Sequence, residues 1–290
     1  MDFVHLSLLR GVCQMPGYVA DAKQFFRQQD LDVRVTIEPT AWVVPQKLLS
    51  GDVHFAVMPW TRVAAASAKG EPLVLVCGSG CEEAAIVLRR GVTQENVRKV
   101  AIPLRGGIKD LTARGLIDTL GWKDIEWVRQ PSGDGAILAL VGQGADAASM
   151  VEPYASMLEG LEIGKVLRRT GDLWPGAPGC SLATTADRIA NQSSVVERMV
   201  KAFVQGACYV AEHPDESAEI ASRHIGIAPR FIRAALAHCR PNVHALHNRT
   251  AMDAVLGLMT RMKYLERPPA NYLDTTVLDA IFPFQKRRPI

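Results

Sequence analysis

The stretch LLRGVCQMPGYVADAKQFFRQQDLDVRV, residues 8–35, predicts the end of a strand, a loop, a helix and a second strand. The loop that follows the first strand, Arg10–Tyr18, contains one Arg, two Gly, a Cys, a Gln and a Pro. Loops positioned by a rigid scaffold often carry binding residues. We therefore expect this loop to face a small molecule.

The same structural unit occurs twice in the chain. HLSLLRG (His5–Gly11) and VAIPLRGG (Val100–Gly107) are both short apolar strands that end in Leu-Arg-Gly. QKLLSGDVHFAVMPW (Gln46–Trp60) and ILALVGQGADAASMVEPY (Ile137–Tyr154) both give a helix end, a Gly-containing turn, a buried strand and a Pro-aromatic pair. Short strands that alternate with helices predict parallel sheets flanked by helices. Two copies of the unit therefore predict two α/β lobes.

The remaining segments complete these lobes. EPLVLVCGSG and EEAAIVLRRG predict strands that lead out of the first lobe, and GCSLATTADRI (Gly179–Ile189) predicts a returning strand. From Ser193 the apolar spacing is helical, with a break at His213-Pro214. Ligands of open α/β sheets lie at the carboxyl ends of the strands. If the two lobes face each other, the unusual loops of both meet in one cleft.

Composition limits the possible partners and compartments. A net charge of +3 over 290 residues does not favour nucleic acid, and no apolar run predicts insertion into a membrane. No secretory signal follows Met1, and the six cysteines show no disulfide spacing. These features favour the cytoplasm if Met1 is the true start. A leader removed before Met1 would instead place the protein in the periplasm.

Three segments together resemble one known family: PGYVADAKQFFRQQDLDVRV, then KLLSGDVHFAV, then AAASAKGEPLVLV. They are similar to the substrate-binding proteins of nitrate, sulfonate and taurine transporters and to the related pyrimidine-precursor-binding proteins. The resemblance implies a two-lobed α/β fold of the type II periplasmic-binding-protein kind, with a mostly parallel sheet in each lobe. It also implies that lobe I comprises residues 1–94 and 182–290, and lobe II residues 95–181.

The implied function is hinged closure on a small organic anion or a heteroaromatic compound, without a cofactor. A membrane permease would be the partner if the protein is exported. Related folds include two enzymes, a thiamine-pyrimidine synthase and an aromatic sulfinate desulfinase. The cysteine run of the synthase is absent here, whereas Cys13-Gln14-Met15-Pro16 is similar to the desulfinase loop in having Pro three residues after Cys. A cytosolic enzyme and a ligand-sensing regulatory module therefore remain alternatives.

Several candidate ligand contacts lie in the duplicated loops. Arg10 and Arg105 end equivalent strands, and each offers a planar set of donors for carboxylate, sulfonate or phosphate unless it forms a salt bridge instead. The glycines beside them leave backbone N–H groups open to an anion or form plain tight turns. These are Gly11, Gly106 and Gly107. Ser132 and Asp134 follow the second strand of lobe II, where either residue can cap the next helix or face the ligand.

Four aromatic residues follow predicted strands or lie in a Pro/Gly-rich loop: Trp42, Trp60, Tyr154 and Trp174. Aromatic rings stack on ring-shaped ligands and on cations, and we expect two of the four at the cleft. Glu152, beside Pro153-Tyr154, can accept hydrogen bonds from a ligand or form a salt bridge with an Arg.

Cys13 decides between binding and catalysis. A thiol near a helix N-terminus and Arg10 can have a lowered pKa and act as a nucleophile, although no His is well placed as its base. Gln14 is the polar residue next to it, and we count both as candidate ligand contacts. No metal site is expected, because Cys77-x₃-Cys81 has neither a CxxC motif nor a His cluster to support it.

Overall fold

The computed structural model describes residues 1–103, 108–130 and 133–284. Five strands form the first sheet: β1 (Asp2–Leu8), β2 (Leu31–Ile37), β3 (Phe55–Pro59), β4 (Leu73–Gly78) and β10 (Cys180–Thr185). Their order is β2–β1–β3–β10–β4, and β10 runs antiparallel to both of its neighbours. β1 pairs in parallel with β2 and β3. The sheet is therefore mixed, with one strand reversed.

The second sheet repeats this arrangement. Its strands are β5 (Ala84–Arg89), β6 (Lys99–Pro103), β7 (Glu126–Gln130), β8 (Ala147–Val151) and β9 (Gly164–Arg169). Their order is β7–β6–β8–β5–β9, and β5 is the antiparallel strand. β6, β7 and β8 thus occupy the places that β1, β2 and β3 hold in the first sheet. The duplication predicted from the sequence corresponds to two sheets of identical topology.

Fourteen helices flank the sheets in the described part of the chain. The first seven along the chain, all before β9, are α1 (Met15–Ala22), α2 (Phe25–Gln28), α3 (Val44–Ser50), α4 (Trp60–Ala68), α5 (Ile108–Leu120), α6 (Gly133–Val141) and α7 (Tyr154–Gly160). The others are α8 (Thr170–Leu173), α9 (Ala186–Asn191), α10 (Ser193–Glu212), α11 (Pro214–Ile225), α12 (Pro229–Ala235), α13 (Arg249–Arg261) and α14 (Thr276–Ile281). Among the described helices, none has the length and apolar content needed to cross a membrane.

The helices from α10 onward form where the sequence predicts them. α10 buries residues at helical spacing, among them Val196, Met199, Val200 and Phe203, because these side chains share one face. It ends at Glu212, and Pro214 begins α11, where the missing N–H of proline costs nothing. α10 packs against α1, next to the first sheet.

Two crossovers connect the sheets and pair with each other. Residues 79–83 lead from β4 to β5, and residues 174–179 lead from α8 to β10. Gly179 N donates to Gly80 O at 2.8 Å, and Glu82 N donates to Ala177 O at 3.1 Å. We call Ser79–Glu83 together with Ala177–Cys180 the crossover ribbon. Because it joins the two lobes, it is the place where a hinge would lie.

The strand pairing differs from one predicted boundary. Residues 84–89 were expected in lobe I, but β5 pairs with β8 and β9 of the second sheet. The reason is topological, since β5 takes the place in the second sheet that β10 takes in the first. We propose that the chain passes into lobe II between Gly78 and Ala84, and that it returns near Cys180.

Candidate functional site

Loops from the two lobes meet at the carboxyl ends of the parallel strands. The loop after β1 contains Arg10–Gln14, and Glu152 follows β8 of the other sheet. Val12 N donates to Glu152 O at 3.2 Å, so the first loop of one lobe contacts the third strand end of the other. The first loop therefore contacts the segment after β8 at Val12 and Glu152, while the assignment of Gly11, Cys13 and Gln14 as ligand contacts stays a prediction.

Polar side chains fix the backbone of the first loop. Gln14 is fully buried; its Oε1 accepts from Leu9 N at 3.1 Å, and its Nε2 donates to Cys13 Sγ at 3.3 Å. Tyr18 donates to Leu9 O, and Ser79 of the crossover ribbon donates to Cys13 O. These contacts give Gln14 a structural role, because both ends of its amide bind the protein itself.

Arg10 differs from its neighbours in its exposure to solvent. Its side chain is exposed, whereas residues 11–20 are all buried. An exposed arginine at the end of β1 can reach an incoming anion without first breaking a salt bridge, since none joins it to a described residue. Its assignment as a ligand contact stays a prediction.

Glu152 forms a salt bridge, which was one of the two alternatives. Its carboxylate is buried and pairs with Arg169 on β9, and it also accepts from Ser156 N at 3.0 Å. A carboxylate that is already paired and hydrogen-bonded gains little from a ligand amine. The structure therefore favours a role in ordering the start of α7.

The thiol of Cys13 is buried, and its pKa is raised, mainly by loss of solvation and further by the nearby Glu83 carboxylate. A lowered pKa was expected from the following helix, which begins at Met15. Burial has the larger effect on this pKa, because loss of solvation destabilises the thiolate more than the helix N-terminus stabilises it. This result disfavours Cys13 as a nucleophile.

We predict that iodoacetamide modifies Cys13 at least about tenfold more slowly in the native protein than in the unfolded chain, because only the thiolate reacts. Cys208 on α10 is half-buried and serves as the internal comparison. Peptide mass spectrometry after timed quenching should show Cys208 labelled first. Labelling of Cys13 before Cys208 would instead support Cys13 as the nucleophile of an enzyme.

The aromatic candidates occupy different environments. Trp60 begins α4, is fully buried, and has no partner for its indole N–H among the described residues. Trp174 is half-buried and lies over Gly115 of α5. Tyr154 begins α7 and is buried, whereas Trp42, in the loop after β2, is 42% exposed. Trp42 is therefore the most exposed of the four aromatic candidates.

Sequence reasoning missed Thr61 and Arg62. Both follow Trp60 at the start of α4, directly after the carboxyl end of β3. Thr61 is fully buried, and neither Thr61 Oγ1 nor Arg62 Nε has a hydrogen-bond partner within the described ranges. The guanidinium of Arg62 lies 3.8 Å from the centre of the Trp42 ring, and burial lowers its pKa to about 10. A half-buried cation that forms no ion pair with any described residue favours binding of an anionic group.

Five other candidates cannot be placed in the site. Arg105, Gly106, Gly107 and Ser132 lie outside the described residues. Asp134 is described only as part of the backbone of α6. Their assignments stay predictions.

Two surface depressions lie away from these residues. One, of about 450 Å³, is lined by residues 94, 95, 97, 98 and 120–124, near the amino end of β6. The other, of about 570 Å³, includes Asp2, Phe3 and Arg198 near the amino end of β1. Both lie at the opposite strand ends from the loops discussed above. Neither contains a candidate residue.

Comparisons with known proteins agree with this geometry. Residues 3–225 match the NMT1-like family. No curated protein matches the chain. The ligand-binding component of an ABC-type import system from Staphylococcus aureus, solved with zinc bound, is 16% identical, with a TM-score of 0.85 and coverage of 98% of this chain and 100% of that one.

Two further solved structures are similar. The alkanesulfonate-binding protein SsuA from Xanthomonas axonopodis pv. citri, bound to MOPS, is 14% identical with a TM-score of 0.79, covering 94% of this chain and 98% of that one. The nitrate-binding protein NrtA from Synechocystis PCC 6803 is 15% identical with a TM-score of 0.78, covering 97% and 85%. These likenesses confirm the predicted two-lobed periplasmic-binding-protein fold, with two mixed sheets flanked by helices.

Proposed function

Because this chain belongs to the NMT1-like family, we propose that it is a substrate-binding protein that closes its two lobes on a small organic anion or heteroaromatic ligand. The family match and the similarity to ligand-binding components of ABC-type import systems support a binding function. They do not favour the enzyme or the sensor. The raised pKa of the Cys13 thiol also disfavours catalysis.

One observation carries the choice of ligand class. Arg62 lies at the carboxyl end of β3, stacks on Trp42 and forms no ion pair with an acidic residue in the described part of the chain. A guanidinium donates hydrogen bonds to carboxylate and sulfonate oxygens, and an exposed indole face stacks on a planar ring. The pair therefore suits a ligand with an anionic group, a flat apolar part, or both.

We further propose a membrane permease as the partner that receives the ligand. The similarity to components of import systems supports this partner. Closure brings the two lobes into a fixed relative position, which a permease can distinguish from the open state.

Binding is tested with three probes: nitrate, ethanesulfonate and benzoate. A ligand that binds the native state increases the free energy of unfolding, by about 2.7 kcal/mol at a concentration 100 times Kd. The unfolding midpoint therefore rises. Calorimetry then gives the Kd of the best probe. We predict that Arg62→Met raises this Kd roughly 10- to 100-fold, as expected for loss of hydrogen bonds to a charged group.

Arg34→Met is the matched control, because Arg34 is an exposed arginine on β2 of the same sheet. Its Kd should equal that of the unmodified protein. An unchanged Kd for Arg62→Met would remove Arg62 from the site. Failure of all three probes to shift the midpoint would contradict the anionic ligand class.

A further inference from the structure

We propose that Cys13, Glu83 and Cys180 form a binding site for a thiophilic divalent cation of the zinc type. Cys13 lies in the loop after β1, and Glu83 and Cys180 are the last residues of the two segments of the crossover ribbon. All three are buried. The site would tie the first loop of lobe I to both segments that connect the lobes.

The geometry suits such a cation. The two sulfur atoms and a carboxylate oxygen all lie within 4.8 Å of one another, and Cys180 Sγ is 3.5 Å from Glu83 Oε1. Zinc–sulfur bonds of about 2.3 Å and zinc–oxygen bonds of about 2.1 Å in a tetrahedron separate ligand atoms by roughly 3.5–3.8 Å. Side-chain shifts of about 1 Å or less would therefore complete the site.

Glu83 gives an independent reason to expect a cation. Its side chain accepts from Cys180 N at 3.2 Å and from the Cys180 thiol, and no Lys, Arg or His of residues 1–103, 108–130 or 133–284 pairs with it. The other buried glutamate nearby, Glu152, has Arg169 as its partner. A buried carboxylate without a positive charge is costly, and a metal ion supplies that charge.

The backbone around the site leaves space for these side chains. A Cβ at Gly179 would lie 2.7 Å from the Glu83 carboxylate, and a Cβ at Gly80 would lie 2.9 Å from Cys13 Cβ. Any larger residue at either position would therefore push a proposed ligand away. Gln14 donates to Cys13 Sγ at 3.3 Å and would orient that sulfur in the metal-bound state.

Zinc binding leaves the net charge of the site unchanged. Two protonated thiols and one carboxylate carry a charge of −1. Zn²⁺ displaces both thiol protons to solvent, and the complex of two thiolates, one carboxylate and Zn²⁺ also carries −1. The buried site therefore gains no net charge. Three protein ligands leave one coordination position, as in zinc sites that also hold water or a small molecule.

The test uses the full chain, reduced and freed of metal with a chelator. Zinc is titrated against a chromophoric competitor, with magnesium as the hard-cation comparison. We expect one zinc per chain, two protons released per zinc, and no competition from magnesium. Cobalt should give a sulfur-to-metal charge-transfer band whose intensity corresponds to two thiolates, a readout that needs no variant.

Cys13→Ser and Cys180→Ser should each weaken zinc binding by more than about 100-fold, and the near-isosteric Glu83→Gln by about 10- to 100-fold. Cys208→Ser on α10 is the control and should bind as the unmodified protein does. The proposal fails if the unmodified chain binds no stoichiometric zinc, if cobalt gives no charge-transfer band, or if Cys208→Ser loses as much affinity. Because this test uses no organic ligand, its failure would leave the proposed ligand binding unaffected.

Discussion

Gly206→Ala should lower the free energy of unfolding by about 2–3 kcal/mol, the upper part of the range of about 1–3 kcal/mol for forcing extra atoms into a tightly packed interior. Gly206 lies in the middle of α10, where this helix crosses α1. A Cβ added there would lie 2.2 Å from the carbonyl oxygen of Pro16 and 3.3 Å from Ala20 Cβ. Backbone atoms cannot rotate away, so the two helices must separate.

Gly257→Ala is the matched control, because it is the same substitution inside α13. The nearest atom to its added Cβ is the mobile end of Arg261, at 3.5 Å. Alanine favours the helix over glycine by about 0.5–1 kcal/mol, so this variant should be as stable as the unmodified protein or more stable. Urea unfolding followed by circular dichroism measures both. Equal effects of the two substitutions would show that α10 and α1 are not in close contact.

The sequence predicted the duplicated unit because the repeated pattern is local. Each copy of strand, helix and strand can be recognised from a few dozen residues, and the two sheets do share one strand order. The placement of β5 in the second sheet depends on pairing with strands that are distant in sequence. Its partners β8 and β9 lie far along the chain, and only the assembled sheet decides which lobe receives it.

The candidate site shows the same limit. Cys13 and Gln14 could be selected from one loop, but the sign of the pKa shift of Cys13 depends on burial by distant segments. Glu83 and Cys180 are 97 residues apart, so no motif spacing links them to Cys13. Arg62 was missed because its importance depends on stacking against Trp42 and on the lack of an acidic neighbour among the described residues.

Asp110→Ala should destabilise the protein by about 2–4 kcal/mol, since it leaves arginine charges without their buried partner. Asp110 lies in the first turn of α5, and its side chain is fully buried. It accepts from Arg129 Nη1 at 2.8 Å and from Arg114 Nε at 3.3 Å. Tyr264, which packs with the helices of lobe I, also donates to this carboxylate. The residue therefore joins the two lobes as well as ordering lobe II.

Asp118→Ala provides the control on the same helix, because Asp118 is exposed, and it should change stability by no more than about 0.5 kcal/mol. Tyr264→Phe removes the hydrogen bond between the lobes and keeps the ring, and it should cost about 1.5–3 kcal/mol, the range for a hydrogen bond to a charged group. In a double-mutant cycle, Asp110→Ala and Tyr264→Phe should couple by at least about 0.5 kcal/mol, because both remove the same hydrogen bond. Strict additivity would mean that this bond does not form in solution. The contact between α5 and the Tyr264 segment would then not hold the lobes together, whereas other contacts between them, such as that of α7 with α12, would remain.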